Sequence, residues 1–204
     1  MALVERAFLA RPAPVVAPLL LNRLLVGADG RVGRIIEVEA YDGATDPASH
    51  AFRGPTPRNL VMFGPAGHLY VYFSYGVHWC ANVVTGEEGA GNAVLLRALD
   101  PIAGVDAMRA ARWRTQKRQI DRDLCRGPGR LTQAMGIDGT LDGVDLCDPA
   151  APVCLASDGV PPPAEPAVTT RVGLSVATDT PWRWTVPGHP GVSPGPVRRQ
   201  EQHP

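Results

Sequence analysis

The alternation of apolar and polar residues is clearest in the first half of the chain, where it predicts more strand than helix. The turn signal Ala28-Asp29-Gly30 separates two apolar runs, and Gly76 separates two runs rich in β-branched and aromatic residues, so each pair predicts a hairpin. Residues 42–58 carry Gly, Pro and Asp and predict a loop. The elements predicted in this half are a helix at Val15–Leu21 and strands at Leu24–Val26, Arg31–Tyr41, His68–Tyr75 and Val77–Val84.

Helix signals are concentrated in the middle of the chain, and short strands follow them. Asp100-Pro101 has the form of an N-cap followed by proline at the first helical position, which predicts a helix to about Arg114. Gly127-Pro128-Gly129 predicts the start of another helix, which ends at Gly136. The other predicted elements are a strand at Ala93–Leu99, a short helix at Arg122–Cys125, and strands at Leu155–Ala156, Thr170–Val176 and Arg183–Val186.

This order of strands, helices and strands predicts an α+β fold, in which a mostly antiparallel sheet carries flanking helices. The length of 204 residues and the apolar content of 45% suit one mixed domain over residues 1–204 with a single core. Residues 196–204 are expected to form a flexible tail.

Composition narrows the function classes. No apolar run approaches a membrane span and Met1–Pro12 lacks the pattern of a signal peptide, so we expect a cytoplasmic protein without a membrane partner. The four cysteines are scattered without a CxxC pair, which predicts reduced thiols and no metal site. The net charge is 0, yet residues 109–130 hold eight basic side chains and residues 138–165 hold six acidic ones and no basic one. This segregation suits a local basic face for nucleic acid, and equally a solvated helix beside an acidic loop.

Two carboxylates near the end of a predicted strand are the first candidate chemistry. Alternation places Ile36, Val38 and Ala40 on one face and Glu37, Glu39 and Tyr41 on the other. Paired carboxylates beside a tyrosine and a loop suit acid–base catalysis. Taken alone, the pattern favours the simpler interpretation of a strand face that is exposed to solvent.

Aromatic residues of the second hairpin are the next candidates. Tyr70 and Tyr72 share a strand face, and each buried hydroxyl would need a partner. Tyr75 lies at the predicted tip, where an exposed ring suits either stacking on a nucleic-acid base or a protein contact. His50 and Arg58 lie in the preceding loop, and each is a weak signal alone.

Together these segments resemble the alkyladenine (3-methyladenine) DNA glycosylase family. The likeness spans about residues 10–192, and motifs of this length in this order are highly specific. The matching segments are Arg34–Tyr41, Asp46–His50, Thr56–Asn59, Met62-Phe63, Gly67–Gly76, Asn82, Ala93–Ala98, Asp123–Leu131 and Ala167–Gly173.

The resemblance implies a catalytic centre and a fold. Glu39 matches the residue that deprotonates the attacking water, and Arg97 matches a basic residue near that water and the target backbone. The fold it implies has a curved sheet and a protruding hairpin, and it needs no metal or organic cofactor. The implied partner is double-stranded DNA with a damaged purine, bound by a monomer.

The resemblance also implies a pocket for a flipped base. Tyr41, His50 and Tyr72 match its walls, and the backbone near His50 matches a group that reads the purine edge. Asn82 matches the residue that crowds the amino group of guanine, and Tyr75 matches the side chain that fills the gap in the duplex. Alkylated or deaminated purines would be the substrates, namely 3-methyladenine, 7-methylguanine, hypoxanthine and ethenoadenine.

Two further features refine this expectation. Glycosylases that also cut the backbone attack through an amine, and Lys117 is the only lysine, in an arginine-rich segment far from the pocket motifs. We therefore expect a monofunctional hydrolase. Arg58, Arg126 and Arg130 are candidate contacts to the DNA backbone, the latter two beside a helix start that suits phosphate. Family members often have a basic residue where Pro55 stands, so one phosphate contact is in doubt.

Two alternatives remain at this point. A non-catalytic module that binds DNA lesions or RNA would use the same scaffold, but it would not be expected to keep Glu39 and its whole pocket. A nucleoside or carbohydrate hydrolase would use Glu37 and Glu39 as its pair. Residues two apart on a strand point the same way, which is poor geometry for flanking a bond from both sides.

Overall fold

A computed structural model describes residues 1–112 and 120–195, which form a curled antiparallel sheet of nine strands with four short α-helices. The fold is the predicted α+β class, with a single mixed domain. The strands are β1 (Ala2–Leu3), β2 (Leu24–Gly27), β3 (Val32–Asp42), β4 (Leu69–Ser74), β5 (His78–Thr85), β6 (Asn92–Ala103), β7 (Val153–Ser157), β8 (Ala167–Thr169) and β9 (Arg183–Thr185). The helices are α1 (Arg6–Leu9), α2 (Ala13–Leu20), α3 (Val105–Arg112) and α4 (Pro128–Met135).

Strand β3 is the centre of the sheet and carries both candidate carboxylates. The main strand order is β1-β7-β2-β3-β6-β5-β4, and every pairing is antiparallel. The first part of β3 pairs with β2, while Glu37, Val38 and Glu39 pair with β9, which in turn pairs with β8. Because β6 runs along the other side of β3, the segment around Glu39 is flanked by strands on both sides and is shielded from solvent.

One apolar cluster accounts for most of the core. Helix α2 packs against β3 and β6, and α4 packs against β5 and β6, so that the helices cover one face of the sheet. A smaller cluster around Ala51, Met62, Tyr70, Val84 and Ala93 lies beneath the loop that follows β3. This second cluster anchors the loop that carries His50 to the sheet.

The predicted helix start at Asp100-Pro101 is wrong. Strand β6 continues through these residues to Ala103, with Asp100 opposite Arg34 and Pro101 opposite Gly33 at an irregular step of the ladder. Such a step tolerates the missing N–H of proline. The chain turns only at Gly104, which has φ of +66° and lies so close to Arg31 that a side chain would collide, and α3 begins directly afterwards. The local cap signal is therefore overridden by pairing with β3.

Two further predicted elements differ from the structure, and other predictions fall outside it. Thr170–Val176 is a loop rather than a strand, because Arg171 and the Val172 N–H are bound to groups of other segments instead of a ladder. The short helix near Arg122 is a 3₁₀ turn at Asp121–Asp123. Three features lie outside the described residues: the predicted end of the middle helix at Arg114, the side chain of Lys117, and the tail from residue 196.

The four cysteines all lie within the described residues and are not joined by disulfide bonds. Within the described residues, the helices are all too short or too polar to cross a membrane. Over the same part of the chain, the side chains of His, Cys, Asp and Glu form no group of three that could hold a metal ion.

Candidate active site

A cleft of about 880 Å³ opens between the β4–β5 hairpin, the loop after β3 and the loop after β8. Polar, aromatic and basic side chains share its lining. The predicted site residues that line it are Tyr41, His50, Arg58, Tyr72, Tyr75, Asn82 and Arg97. The structure therefore brings together seven of the ten residues singled out from the sequence.

Glu39 lies directly behind the wall of this cleft and is fully buried. Its Oε1 accepts the Val172 backbone N–H at 2.7 Å, its Oε2 accepts the Tyr41 hydroxyl at 2.9 Å, and Arg97 Nη1 lies 3.3 Å from Oε2. All three partners line the cleft. Burial raises the pKa of Glu39, and these partners offset only part of that effect, so its carboxylate remains an effective proton acceptor.

A pair of β-bulges explains how three charged side chains meet here. Ile35 pairs with Leu99 and Glu37 with Ala98, while Val38 pairs with Leu96, so Arg97 has no partner in the ladder. A bulge re-aims the extra side chain, and that of Arg97 points between the two carboxylates. The same irregularity breaks the predicted alternation, because Ile35 rather than Ile36 joins the main core.

Glu37 is also fully buried, so the interpretation of this face as exposed to solvent is wrong. Burial alone would raise the pKa of Glu37, but Arg97, Ser193 and Arg183 together outweigh it and lower the pKa. The two carboxylates of β3 are thus held in opposite environments. Glu37 is fixed as an anion by its partners, whereas Glu39 is the more basic group and is the one next to the cleft.

Aromatic rings form one wall of the cleft. The rings of Tyr70 and Tyr72 are stacked with centroids 5.5 Å apart, and the ring of His50 meets that of Tyr72 edge-on at 4.4 Å. The hydroxyl of the buried Tyr70 lies 3.1 Å from His50 Nδ1, which provides the partner that this group needs. Burial, with a smaller contribution from Arg58, lowers the pKa of His50, so its imidazole is neutral at physiological pH.

The loop that carries His50 is held by Asn59. The side-chain amide of Asn59 donates to the His50 carbonyl at 2.8 Å, and its Oδ1 accepts the Thr56 N–H at 2.6 Å. Arg58, which precedes Asn59, donates to the Phe73 carbonyl at 3.0 Å and so reaches the hairpin close to its tip. This Thr-x-x-Asn turn therefore positions both the aromatic wall and a basic side chain.

Arg171 is a structural residue of the site that sequence reasoning missed. It is buried with Asp46, to which it donates at 2.9 Å, and its guanidinium lies 4.7 Å from the centre of the Tyr41 ring. The contact joins the loop after β3 to the loop after β8, and it places Val172 against Glu39. Buried ion pairs between distant segments leave no periodic signal. The only signal that could have indicated this pair is that both residues lie within matching motifs.

Tyr75 lies at the tip of the β4–β5 hairpin and is 91% exposed. Its φ of +48° and that of +67° at Gly76 form the tight turn that presents the ring outward. Phe73 and Val77 on the same hairpin are also exposed. An exposed aromatic side chain on a rigid two-stranded arm suits insertion into a stack of bases.

Arg126 and Arg130 do not line the cleft. Arg126 Nε donates to the Val192 carbonyl at 2.9 Å, so part of this guanidinium is engaged within the protein. Helix α4 begins at Pro128 as predicted and ends at Gly136, whose φ is +70°. Its first turn packs so closely on the hairpin that a side chain at Gly129 would collide with His78, the last paired residue before the tip. Arg130 follows Gly129 on this turn of the helix.

The comparisons with known proteins agree with this geometry. The family model of methylpurine-DNA glycosylase matches residues 7–190. A Burkholderia lata protein named "Putative 3-methyladenine DNA glycosylase" is 59% identical over 98% of this chain and 94% of its own. Proteins of the same name from Methanoculleus marisnigri and Frankia casuarinae are 49% and 47% identical, over 92% and 94% of this chain and 96% and 93% of theirs.

The fold, the cleft and these relatives define a DNA glycosylase, which is a hydrolase of N-glycosyl bonds. The chain belongs to the methylpurine-DNA glycosylase family.

Proposed function

We propose that the protein removes alkylated and deaminated purines from duplex DNA by hydrolysis with water that Glu39 activates, and that it leaves an intact abasic site. The substrates would be 3-methyladenine, 7-methylguanine, hypoxanthine and ethenoadenine. One observation carries the proposal: a fully buried carboxylate of raised pKa lies directly behind a cleft lined by aromatic rings.

Base flipping accounts for the shape of the cleft. A base inside a duplex cannot be reached at its sugar bond, and extruding the nucleotide costs a few kcal/mol. Stacking on Tyr41, His50 and Tyr72 would return about 1–3 kcal/mol for each ring that contacts the base. Insertion of Tyr75 into the gap would offset part of the remaining cost by restacking the neighbouring bases.

Asn82 supports a preference against normal guanine. It is buried, it lines the cleft, and its amide donates to the Tyr70 carbonyl at 3.1 Å, which fixes the side chain in place. A rigid amide leaves little room for an extra amino group on the minor-groove edge of a purine. A base that fits without this group would enter, and guanine would be crowded out.

The charges around Glu39 suit cleavage of a bond to deoxyribose. Loss of the base builds positive charge on the sugar, and a buried carboxylate stabilises such charge strongly. Oε1 of Glu39 accepts a single hydrogen bond from the described residues, so it retains a lone pair for a water molecule. One proton of that water passes to Glu39 and the remaining hydroxyl bonds to the sugar carbon. The base leaves with the electron pair of the broken glycosidic bond, and a neutral base also takes up a proton. The Arg97 guanidinium at 3.3 Å keeps the carboxylate in place.

The test is a single-turnover assay on duplexes that each carry one of the four lesions. The wild type should release the base from the methylated purines, and alkali should then cleave the DNA at the abasic site. Borohydride should trap no covalent adduct, because Lys117 is the only lysine and is far in sequence from the motifs of the pocket.

The matched variant is Glu39→Gln, which keeps the volume of the side chain. General-base catalysis contributes about 10²–10⁴-fold, so base release should slow by at least about 10²-fold. Release by this variant at the wild-type rate would show that Glu39 is not the base. A borohydride adduct with the wild type would instead contradict the monofunctional mechanism.

A further inference from the structure

A buried cluster of Glu37, Arg97, Arg183 and Ser193 lies immediately next to Glu39, and we call it the Glu37 cluster. All four side chains are less than 9% exposed. The proposed chemistry uses Arg97 but assigns no task to the other three residues. Since buried ion pairs seldom stabilise a fold more than apolar residues of the same size, the cluster calls for another explanation.

Glu37 is unusually well supplied with donors. Its Oε1 accepts Arg97 Nε at 2.7 Å, Arg183 Nε at 2.8 Å and the Ser193 hydroxyl at 2.7 Å, and its Oε2 accepts the Ser193 backbone N–H at 2.7 Å. Two of these donors are cations, and charge-assisted hydrogen bonds are the strong ones. Glu37 is therefore held as a fixed anion in one place.

Arg97 is divided unequally between the two carboxylates. Its Nε is 2.7 Å from Glu37, whereas its Nη1 is 3.3 Å from Glu39 and its Nη2 is 3.4 Å from the Ser193 hydroxyl. The short contact is thus made to the carboxylate that does not adjoin the cleft. A guanidinium that formed two short hydrogen bonds with Glu39 would strongly stabilise its anion and weaken it as a base.

We infer that Glu37 is a positioning residue that holds Arg97 in a loose contact with Glu39, so that Glu39 stays basic enough to activate water. Arg183 and Ser193 fix Glu37 for this task from the side away from the cleft. The inference rests on the proposed role of Glu39, and it adds a function for the second carboxylate of β3.

The electrostatics agree with this geometry. The charge of Glu37 adds to burial in raising the pKa of Glu39, while Arg97 opposes both. The titratable and charged groups around Glu39 are Glu37 and Tyr41 on β3, Arg97 on β6, Tyr72 on β4, Cys80 on β5, Arg183 opposite it on β9, and Arg171 beside Val172. Glu37 is the carboxylate among these groups, so its removal should make Glu39 less basic.

The direct test is the pH profile of single-turnover base release by Glu37→Gln. A duplex with 7-methylguanine is suitable, because this nucleobase already carries a positive charge and needs no proton to leave. The acid limb of the profile then reports only the titration of the general base, Glu39. Without the charge of Glu37, Arg97 pairs fully with Glu39. The acid limb should therefore move to lower pH, and the plateau rate should fall because Glu39 is a weaker base.

A second variant gives the opposite displacement. In Arg183→Gln, Glu37 keeps its charge but loses one of its two cationic partners, so it draws Arg97 more firmly away from Glu39. The acid limb should then move to higher pH. A cluster that served only to stabilise the fold would lower the amount of folded enzyme in both variants without displacing the two limbs in opposite directions.

Asp158→Asn is the matched control, since it likewise removes one carboxylate from an ion pair with an arginine. Asp158 lies 2.6 Å from Arg34 of β3 and makes no contact with Glu39. Its acid limb should stay at the wild-type pH. An acid limb that remains at the wild-type pH in folded Glu37→Gln overturns the inference. If Glu37→Gln does not fold, the inference is tested by Arg183→Gln alone. It is then overturned if the acid limb of Arg183→Gln stays at the wild-type pH or moves to lower pH.

The proposed function fails by a different result. Glu39→Gln that releases the base as fast as the wild type would refute the role of Glu39 itself. An inactive Glu39→Gln together with unmoved limbs in the variants of the Glu37 cluster would leave that role intact and refute only the positioning by Glu37.

Discussion

At the scale of single residues, two glutamates two positions apart on one strand have different environments because their partners differ. Glu37 accepts four strong hydrogen bonds, two of them from cations, and its pKa is lowered. Glu39 accepts a backbone N–H and a tyrosine hydroxyl, has a looser contact with Arg97, and its pKa is raised. The difference between the two carboxylates is set by the segments that surround β3 and not by β3 itself.

The different environments of the two carboxylates predict that Glu37 and Glu39 have opposite effects on the stability of the fold. Glu37 is an acid whose pKa in the folded state lies below the ordinary value of 4.5, so it stabilises the fold above that value and loses the effect as pH falls through the lower folded pKa. Removing one partner from a buried ion pair costs about 3–5 kcal/mol, and we expect a loss of that order in the free energy of unfolding of Glu37→Gln at pH 7. Urea titration would measure it.

The same titration of Glu39→Gln supplies the comparison. The pKa of Glu39 is raised on folding, so its anion is disfavoured in the folded state at neutral pH. The variant should be at least as stable as the wild type at pH 7. The account of the two environments would be wrong if Glu39→Gln were the more destabilised of the two, or if the deficit of Glu37→Gln grew as the pH fell below 4.5.

The sequence allowed both carboxylates to be found but not to be distinguished by strand pattern. Alternation correctly placed Glu37 and Glu39 together, yet it suggested an exposed face, because nothing in β3 itself shows that β9 and the segment around Ser193 cover it. Only the resemblance of the longer motifs favoured Glu39. The contributions of Arg171, Arg183 and Ser193 depend on contacts across more than a hundred positions, or on segments with no regular pattern.

At the scale of elements, the β4–β5 hairpin joins the wall of the cleft to an exposed tip. One of its faces contributes Tyr72 to the aromatic wall, and its tip presents Tyr75 to solvent. Strand runs on either side of Gly76 predicted this hairpin well, since its pairing is local. The junction of β6 and α3 was predicted poorly. The pairing with β3 that extends β6 involves residues 66 to 71 positions away, and it outweighs a local cap signal.

Tyr75→Ala should therefore impair catalysis without affecting the fold. The ring is 91% exposed, so its loss should leave the melting temperature unchanged. Stacking of an aromatic side chain on a base contributes about 1–3 kcal/mol, which predicts a fall of about 5–150-fold in base release at subsaturating enzyme. Tyr75→Phe is the control, because it keeps the ring and should retain most of the activity. Equal losses in both variants would argue against stacking.

At the scale of the whole molecule, a chain of net charge 0 needs a local basic surface to attract a polyanion. Part of the basic stretch, including Lys117, lies outside the described residues. Among those described, Arg130 lies on the first turn of α4, which packs against the hairpin next to the cleft. The segregation of charge could be read from the sequence, whereas the position of this helix relative to the cleft required the fold.

Arg130→Ala tests this surface. Each phosphate contact releases counterions on binding, so the slope of log affinity for duplex DNA against log salt should become shallower by about one unit if Arg130 contacts a phosphate. Arg109→Ala is the control, because that guanidinium is already paired with Asp106 and Asp121 and should contribute little. An unchanged slope for Arg130→Ala would refute the contact.

The central claim is that only one of two adjacent buried carboxylates acts as the base. The most direct test compares the maximal single-turnover rates of Glu39→Gln and Glu37→Gln on one 7-methylguanine duplex at saturating enzyme and neutral pH. The account predicts a loss of at least about 10²-fold for Glu39→Gln and a smaller loss for Glu37→Gln, which keeps its base. The account would be contradicted if Glu39→Gln released the base at the wild-type rate. It would also be contradicted if folded Glu37→Gln lost more of the maximal rate than folded Glu39→Gln.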